Sequence, residues 1–192
     1  MERNSFLKLG LAIGAFLSAP FDVLAKSRDK NRIDKGFKVD AGKDRFDKSI
    51  NILEGDTFYT KVSTKDTDGD LYIYESTRVK EGGPPLHYHP DIDEWWYILQ
   101  GEFMIKVEDE TYRAKTGDSV FCPRQVPHAF AKVGEGEGKL IMLFQPAGKM
   151  EDFFNGLSEG VHLKMSKEEQ DKFRKDHGIV WVGPALNYLK GW

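Results

Sequence analysis

Residues 85–102 read "PLHYHPDIDEWWYILQGE". In an extended strand, residues two apart share a face. His87 and His89 therefore point one way and Tyr88 the other. Pro90 lacks the N–H that a central ladder needs, so the strand ends there. The chain is expected to turn through Pro90-Asp91-Ile92 and return as "DEWWYIL", a hairpin that sets Glu94 beside the two imidazoles. Glu94 shares its face with Trp96 and Ile98, whereas Trp95 and Tyr97 face away. Two histidines and a carboxylate make part of a metal site or an ordinary aromatic strand, and the decision rests on partners elsewhere.

Outward from this stretch, the chain keeps a strand rhythm. "TFYTKVS" (57–63), "LYIYEST" (71–77), "EFMIKV", "ETYRA", "SVFC", "HAFAKV" and "KLIMLFQ" are short β-prone runs. Turn signals such as "KEGGPP", "KTGD", "PRQVP" and "GEGEG" separate them. Frequent short strands without a long crossover helix predict an all-β antiparallel sandwich or barrel rather than a parallel sheet. After Pro146 the apolar spacing becomes helical. A short helix is expected over 149–158, and Ser166 with Glu169 forms a capping box for a second, stopped near Gly178. The tail "IVWVGPALNYLKGW" is apolar enough to pack back onto the domain.

His128 is the candidate third imidazole. It follows "GDSVFCPRQVP", a strand and a rigid two-proline loop, and opens the strand "HAFAKV". His87, His89, Glu94 and His128 together would leave open coordination positions. This donor set suits one divalent transition metal (Fe, Mn, Ni, Cu, Co or Zn) and fits calcium or magnesium poorly.

The two stretches resemble the two motifs of the cupin superfamily. The first, Gly-x5-His-x-His-x3,4-Glu-x6-Gly, is matched by His87, His89, Glu94 and Gly101, with Glu81 in place of the leading glycine and Gly82-Gly83 following. The second, Gly-x5-Pro-x-Gly-x2-His-x3-Asn, is matched by Gly117, Pro123 and His128; Gln125 replaces the middle glycine and Lys132 the asparagine. The resemblance covers roughly residues 57–146 and implies a jelly-roll β-barrel, with short C-terminal helices outside it. It also implies a three-histidine, one-glutamate centre. Within the superfamily, flavonol-type dioxygenases of the quercetin dioxygenase kind use such a centre on small molecules. Glu94 is then both ligand and candidate general base, and Trp96 and Phe130 are candidate pocket walls. A non-redox isomerase or lyase using the metal as a Lewis acid remains an alternative, as does a non-catalytic small-molecule binder. The isomerase reading asks for extra basic or polar groups inside the barrel; Arg78, Arg113 and Arg124 are the arginines near the motifs.

Composition bounds the rest. The chain has 192 residues and a formal net charge of -3, without the basic excess expected of a nucleic-acid-binding domain. Its single cysteine, Cys122, excludes an internal disulfide and a cysteine-based zinc cluster, and reads as a small buried hydrophobe. Phe103, Ile105, Phe121 and Met142 are expected to line the barrel, and His162 and His177 to lie on the surface. "MERNSFLKLGLAIGAFLSAPFDVLAKS" has the layout of a secretory signal cleaved after Ala25, with a start resembling a twin-arginine signal in which Asn4 replaces the second arginine. The apolar run is too short to span a bilayer. The expected organisation is a signal peptide over 1–25, a charged flexible leader over 26–50, the barrel over 51–148 and a helical extension over 149–192. The mature protein is expected outside the cytoplasm, with no integral membrane association. Trp95 and Tyr97, on the outer face, would suit a homodimer.

Overall fold

A computed structural model describes residues 31–52 and 56–186. The signal-like segment lies outside the described residues. The strands, in chain order, are β1 (Ile50–Ile52), β2 (Asp56–Val62), β3 (Tyr72–Arg78), β4 (Pro85–Tyr88), β5 (Asp93–Gln100), β6 (Glu102–Val107), β7 (Glu110–Lys115), β8 (Ser119–Cys122), β9 (His128–Val133), β10 (Gly138–Gln145) and β11 (Val180–Ala185). Helix α1 (Thr64–Thr67) follows β2, and α2 (Met150–Ser158) and α3 (Lys167–Asp176) follow β10. The strands form a six-stranded sheet, ordered β1-β2-β3-β10-β5-β8, and a five-stranded sheet, ordered β11-β4-β9-β6-β7. All the pairings are antiparallel, as a jelly roll requires. Among the described residues, no helix is long and apolar enough to cross a membrane.

Alternation in sequence becomes alternation in burial. On β5, Glu94, Trp96 and Ile98 are buried, whereas Tyr97 and Leu99 are 37% exposed. Tyr72 and Tyr74 on β3 and Leu140, Met142 and Phe144 on β10 face the same interior. Phe103, Ile105 and Phe130 face it from the other sheet. Each such fully buried side chain contributes roughly 1.5–3 kcal/mol relative to exposure. Phe121 departs from expectation. It is 58% exposed, because β8 pairs with β5 through Glu94↔Cys122, which turns Cys122 inward and its neighbour outward. Trp95 and Tyr97 stack on the outer face, 5.8 Å between centroids.

A second departure concerns the opening stretch. β4 and β5 do not form a hairpin: β4 pairs with β9 and β11, and β5 with β10 and β8. The Pro90–Ile92 segment instead carries the chain from one sheet to the other. The interior between the sheets is therefore where His87 and Glu94 meet.

The C-terminal part joins the barrel. Ser166 caps α3 by accepting from Glu169 N, and the Glu169 carboxylate accepts from Ser166 N, the expected capping box. Strand β11 then lies beside β4, with Val180 opposite Tyr88 and Trp181 opposite His87. In α2, Met150 and Phe153 are buried, and Phe154 packs edge-on against Phe58 and Tyr74. Within the segment read as a leader, Asp44 is buried and accepts from the N–H groups of Phe46, Lys48 and Thr60, which ties that stretch to β2.

Candidate metal centre

His87, His89, Glu94 and His128 are 8%, 1%, 2% and 1% exposed, and their donor atoms all lie within 4.8 Å of one another. The centre straddles the two sheets. His87 on β4 sits directly opposite His128 on β9, while Glu94 enters from β5. Glu94 Oε2 lies 3.1 Å from His89 Nε2 and 3.0 Å from His128 Nε2.

The other nitrogen of each ring is fixed by the backbone. His87 Nδ1 donates to Pro85 O (2.7 Å), His89 Nδ1 to Gly178 O (2.8 Å) and His128 Nδ1 to Val126 O (2.9 Å). A carbonyl only accepts, so each Nδ1 carries a proton and each Nε2 is the atom turned to the interior, where its lone pair is freed once any second proton leaves. Rings tethered in this way are the usual partners of a metal ion. With ligand bonds of about 2.0–2.2 Å, opposed donors stand no more than about 4.4 Å apart, so a contraction of a few tenths of an ångström closes the set around a cation.

The electrostatics agree. Burial pushes His87 down to about 3, helped by the neighbouring His128 and His89, so this ring is neutral and ready to ligate. Burial opposes ionisation of Glu94, but bonds from His128 and His89 outweigh it and hold the carboxyl down to about 2. Burial also opposes charge on His128, yet bonds to Cys122 and Glu94 lift it to about 10. A carboxylate is thus ionised in a dry interior and draws a positive charge beside it. The donor set fits a transition metal, whose charge would take the place of that proton.

The loop before β9 is held at two adjacent residues. Gln125 N donates to His89 O (2.7 Å), and Arg124 grips the Asp93 carboxylate through Nε (3.0 Å) and Nη2 (2.7 Å). Gln125 has φ 68, the left-handed conformation that glycine adopts freely. The substitution therefore keeps the loop geometry at the cost of strain. An exposed non-glycine residue in this region costs about 1–3 kcal/mol, and glycine returns about 0.4–1 through unfolded-state entropy. Gln125→Gly is expected to stabilise the protein by about 1 kcal/mol, read as a rise in the denaturant midpoint; a fall would show that the glutamine side chain supports the loop.

A cavity of about 190 Å³ opens beside the centre, bordered by His87, His89 and Glu94. Its walls are mostly apolar and aromatic, with Phe130, Phe144, Phe153 and Trp181 among them. Phe130, read as a candidate wall, borders this cavity. Trp96 instead stands behind the centre, wholly buried and edge-on to His128 at 5.5 Å. Helix α2, expected mainly to pack, also walls the cavity through Met150, Phe153, Phe154 and Leu157. His162 and His177 are half-buried and outside the cluster; His177 Nδ1 donates to Phe173 O.

Three features escaped the sequence reading. The Gly178 carbonyl reaches His89 from beyond the motifs; Gly178 was visible as a helix stop, but nothing local marked its target. Cys122 Sγ lies 3.1 Å from His128 Nδ1, a proximity that follows only from the β5–β8 pairing. The three arginines also separate. Arg113 pairs with Glu102 at the surface and Arg124 clamps Asp93, but Arg78 borders the cavity with Asp56.

A two-sheet antiparallel barrel with a buried three-histidine, one-glutamate cluster is a metal-binding type of β-barrel. Residues 68–144 match the family model described as the cupin domain, so this stretch of the chain is similar to cupins. Over 66 residues it is 30% identical to Protein SchB of Streptomyces halstedii, covering 34% of this chain and 48% of that one. Over 109 residues it is 26% identical to quercetin 2,3-dioxygenase of Bacillus subtilis, covering 56% of this chain and 32% of that one. Among solved structures, KdgF from Halomonas sp. aligns with 25% identity and a TM-score of 0.44, covering 52% of this chain and 86% of that one. The chain spans about half the length of the curated relatives it matches first.

Proposed function

We propose that the protein is a metal-dependent enzyme of dioxygenase type acting on a small enol or phenol. One observation carries the reading: three tethered imidazoles and Glu94 converge in one cluster, and His87, His89 and Glu94 of that cluster border an apolar, aromatic-walled cavity. The similarity to a quercetin 2,3-dioxygenase supports it. A cavity of about 190 Å³ is below the ~300 Å³ usual for drug-sized ligands, which favours a substrate smaller than a flavonol.

Bound at the four donors, a transition metal would supply Lewis-acid stabilisation of an enolate and redox capacity toward dioxygen. The rest falls to the chain. Phe130, Phe144 and α2 exclude water and hold the substrate's flat apolar part. Both bonds to Glu94 fall on Oε2, so Oε1 is the atom left to take a substrate hydroxyl proton.

A non-redox isomerase or lyase is the second reading, and the Asp56–Arg78 pair bordering the cavity favours it. The deciding experiment is metal analysis of the purified full chain, then oxygen-electrode assays with flavonol and enediol panels. One metal per chain with substrate-dependent oxygen uptake is expected. A metal-loaded protein that converts substrates without uptake moves the assignment to the second reading, and a protein that takes up no metal overturns both.

A further inference from the structure

The cavity wall contains one feature that metal chemistry leaves without a task. Apart from the metal cluster, Asp56 and Arg78 are the charged residues among the described ones bordering the cavity. Both are nearly buried, with side chains 9% and 11% exposed, and Arg78 Nη2 lies 2.6 Å from Asp56 Oδ2. The guanidinium stands over the Phe130 ring, 5.4 Å from its centroid. Arg78 Nε is buried and has no hydrogen-bond partner.

A buried ion pair is a poor device for stability, because desolvating two charges offsets most of their attraction. A buried guanidinium with an unsatisfied N–H adds to that cost. Burial is the largest influence on Asp56 and pushes it up to about 6 even beside Arg78, so its negative charge is readily given up to a proton. Arg78 is therefore a cation whose partner is easily neutralised, with a donor to spare, on the wall of a small apolar cavity.

We propose that Arg78 receives a carboxylate of the ligand, so that the substrate is a small monoacid whose enol, phenol or carbonyl oxygen meets the metal end. The assignment rests on the reading of this cavity as the substrate site of the metal centre. Arginine matches a planar carboxylate with two parallel N–H bonds, a geometry that lysine lacks. Phe130 lines the same cavity beside Arg78, two residues from His128 on β9, and offers its ring to the body of the acid. A dianionic phosphate fits less well, since a single arginine beside an aspartate would face two negative charges. The carboxylate would satisfy the orphaned Nε and release Asp56 to a proton.

The test uses matched probes, salicylate and phenol, which differ by the carboxylate. Both are titrated calorimetrically into the metal-loaded full chain and into Arg78→Met and Arg78→Lys. The wild type is expected to prefer salicylate by about 10- to 100-fold, the range of a charge-assisted hydrogen-bonded contact. Arg78→Met should erase the preference and Arg78→Lys should keep only part of it, with metal stoichiometry unchanged in both. If Arg78→Met does not fold, the double variant Asp56→Asn with Arg78→Met leaves no unpaired charge and gives the same readout. A wild type without carboxylate preference, or an Arg78→Met chain that keeps it, overturns the proposal. Failure to load metal defeats the metal reading separately, and the salicylate preference of the metal-free chain then decides the arginine subsite.

Discussion

Replacing both His87 and His89 with alanine is expected to abolish stoichiometric metal binding while the barrel still folds. The two rings supply half of the donors, and each is already oriented by a carbonyl, Pro85 O for His87 and Gly178 O for His89. Disturbing even an outer partner of a ligand costs about 10- to 100-fold in affinity, so loss of two ligands exceeds about 100-fold. The apolar core that builds the sheets does not depend on these rings. Elemental analysis gives the first readout. The second is thermal: an ion present at about 100 times its dissociation constant adds about 2.7 kcal/mol to the native state. A chelator should therefore lower the melting temperature of the wild type and leave that of the double variant unmoved. A variant that retains one metal per chain would remove the cluster from consideration as the binding site.

The opening stretch shows what a local pattern can and cannot specify. Two-residue periodicity assigns faces, and it placed His87, His89 and Glu94 on the inward side without any partner being known. The motif spacing then brought in His128. Periodicity does not choose which strand lies alongside which, because pairing is set by contacts far apart in sequence. The expected β4–β5 hairpin accordingly became a crossing between sheets, and Phe121 moved outward once β8 took its place on β5. The same limit hid Arg78. Its charge was legible, but its position on the cavity wall depends on β3 lying between β2 and β10, and on β2 bringing Asp56 across from it. Gly178 illustrates a different limit: a backbone carbonyl has no residue-type signature, so its bond to His89 was invisible to any reading of side chains.

Gly83→Ala is expected to produce the largest loss of stability of any single small substitution near the centre. A Cβ built on Gly83 would lie 1.6 Å from Phe130 O and 2.7 Å from Phe130 C. These are backbone atoms of β9, so no rotamer relieves the clash and the segment entering β4 must lift away. Lifting it strains the bridge in which Gly82 N donates to Lys132 O (3.2 Å) and Lys132 N to Gly82 O (3.0 Å). Overpacking of about 1–3 kcal/mol and two weakened hydrogen bonds of about 0.5–1.5 kcal/mol each place the cost near 3 kcal/mol. The displacement also reaches the metal, because the carbonyl that orients His87 belongs to Pro85, two residues on. Denaturant unfolding should show the lowered midpoint, and metal titration of the folded fraction should show weakened binding. Gly36→Ala, where an added Cβ meets nothing within 4 Å, is the control and should stay within about 0.5 kcal/mol of the wild type. If Gly83→Ala melts with the wild type, β9 does not approach the Gly82–Gly83 segment as closely as the barrel requires, and the tether on His87 loses its structural basis.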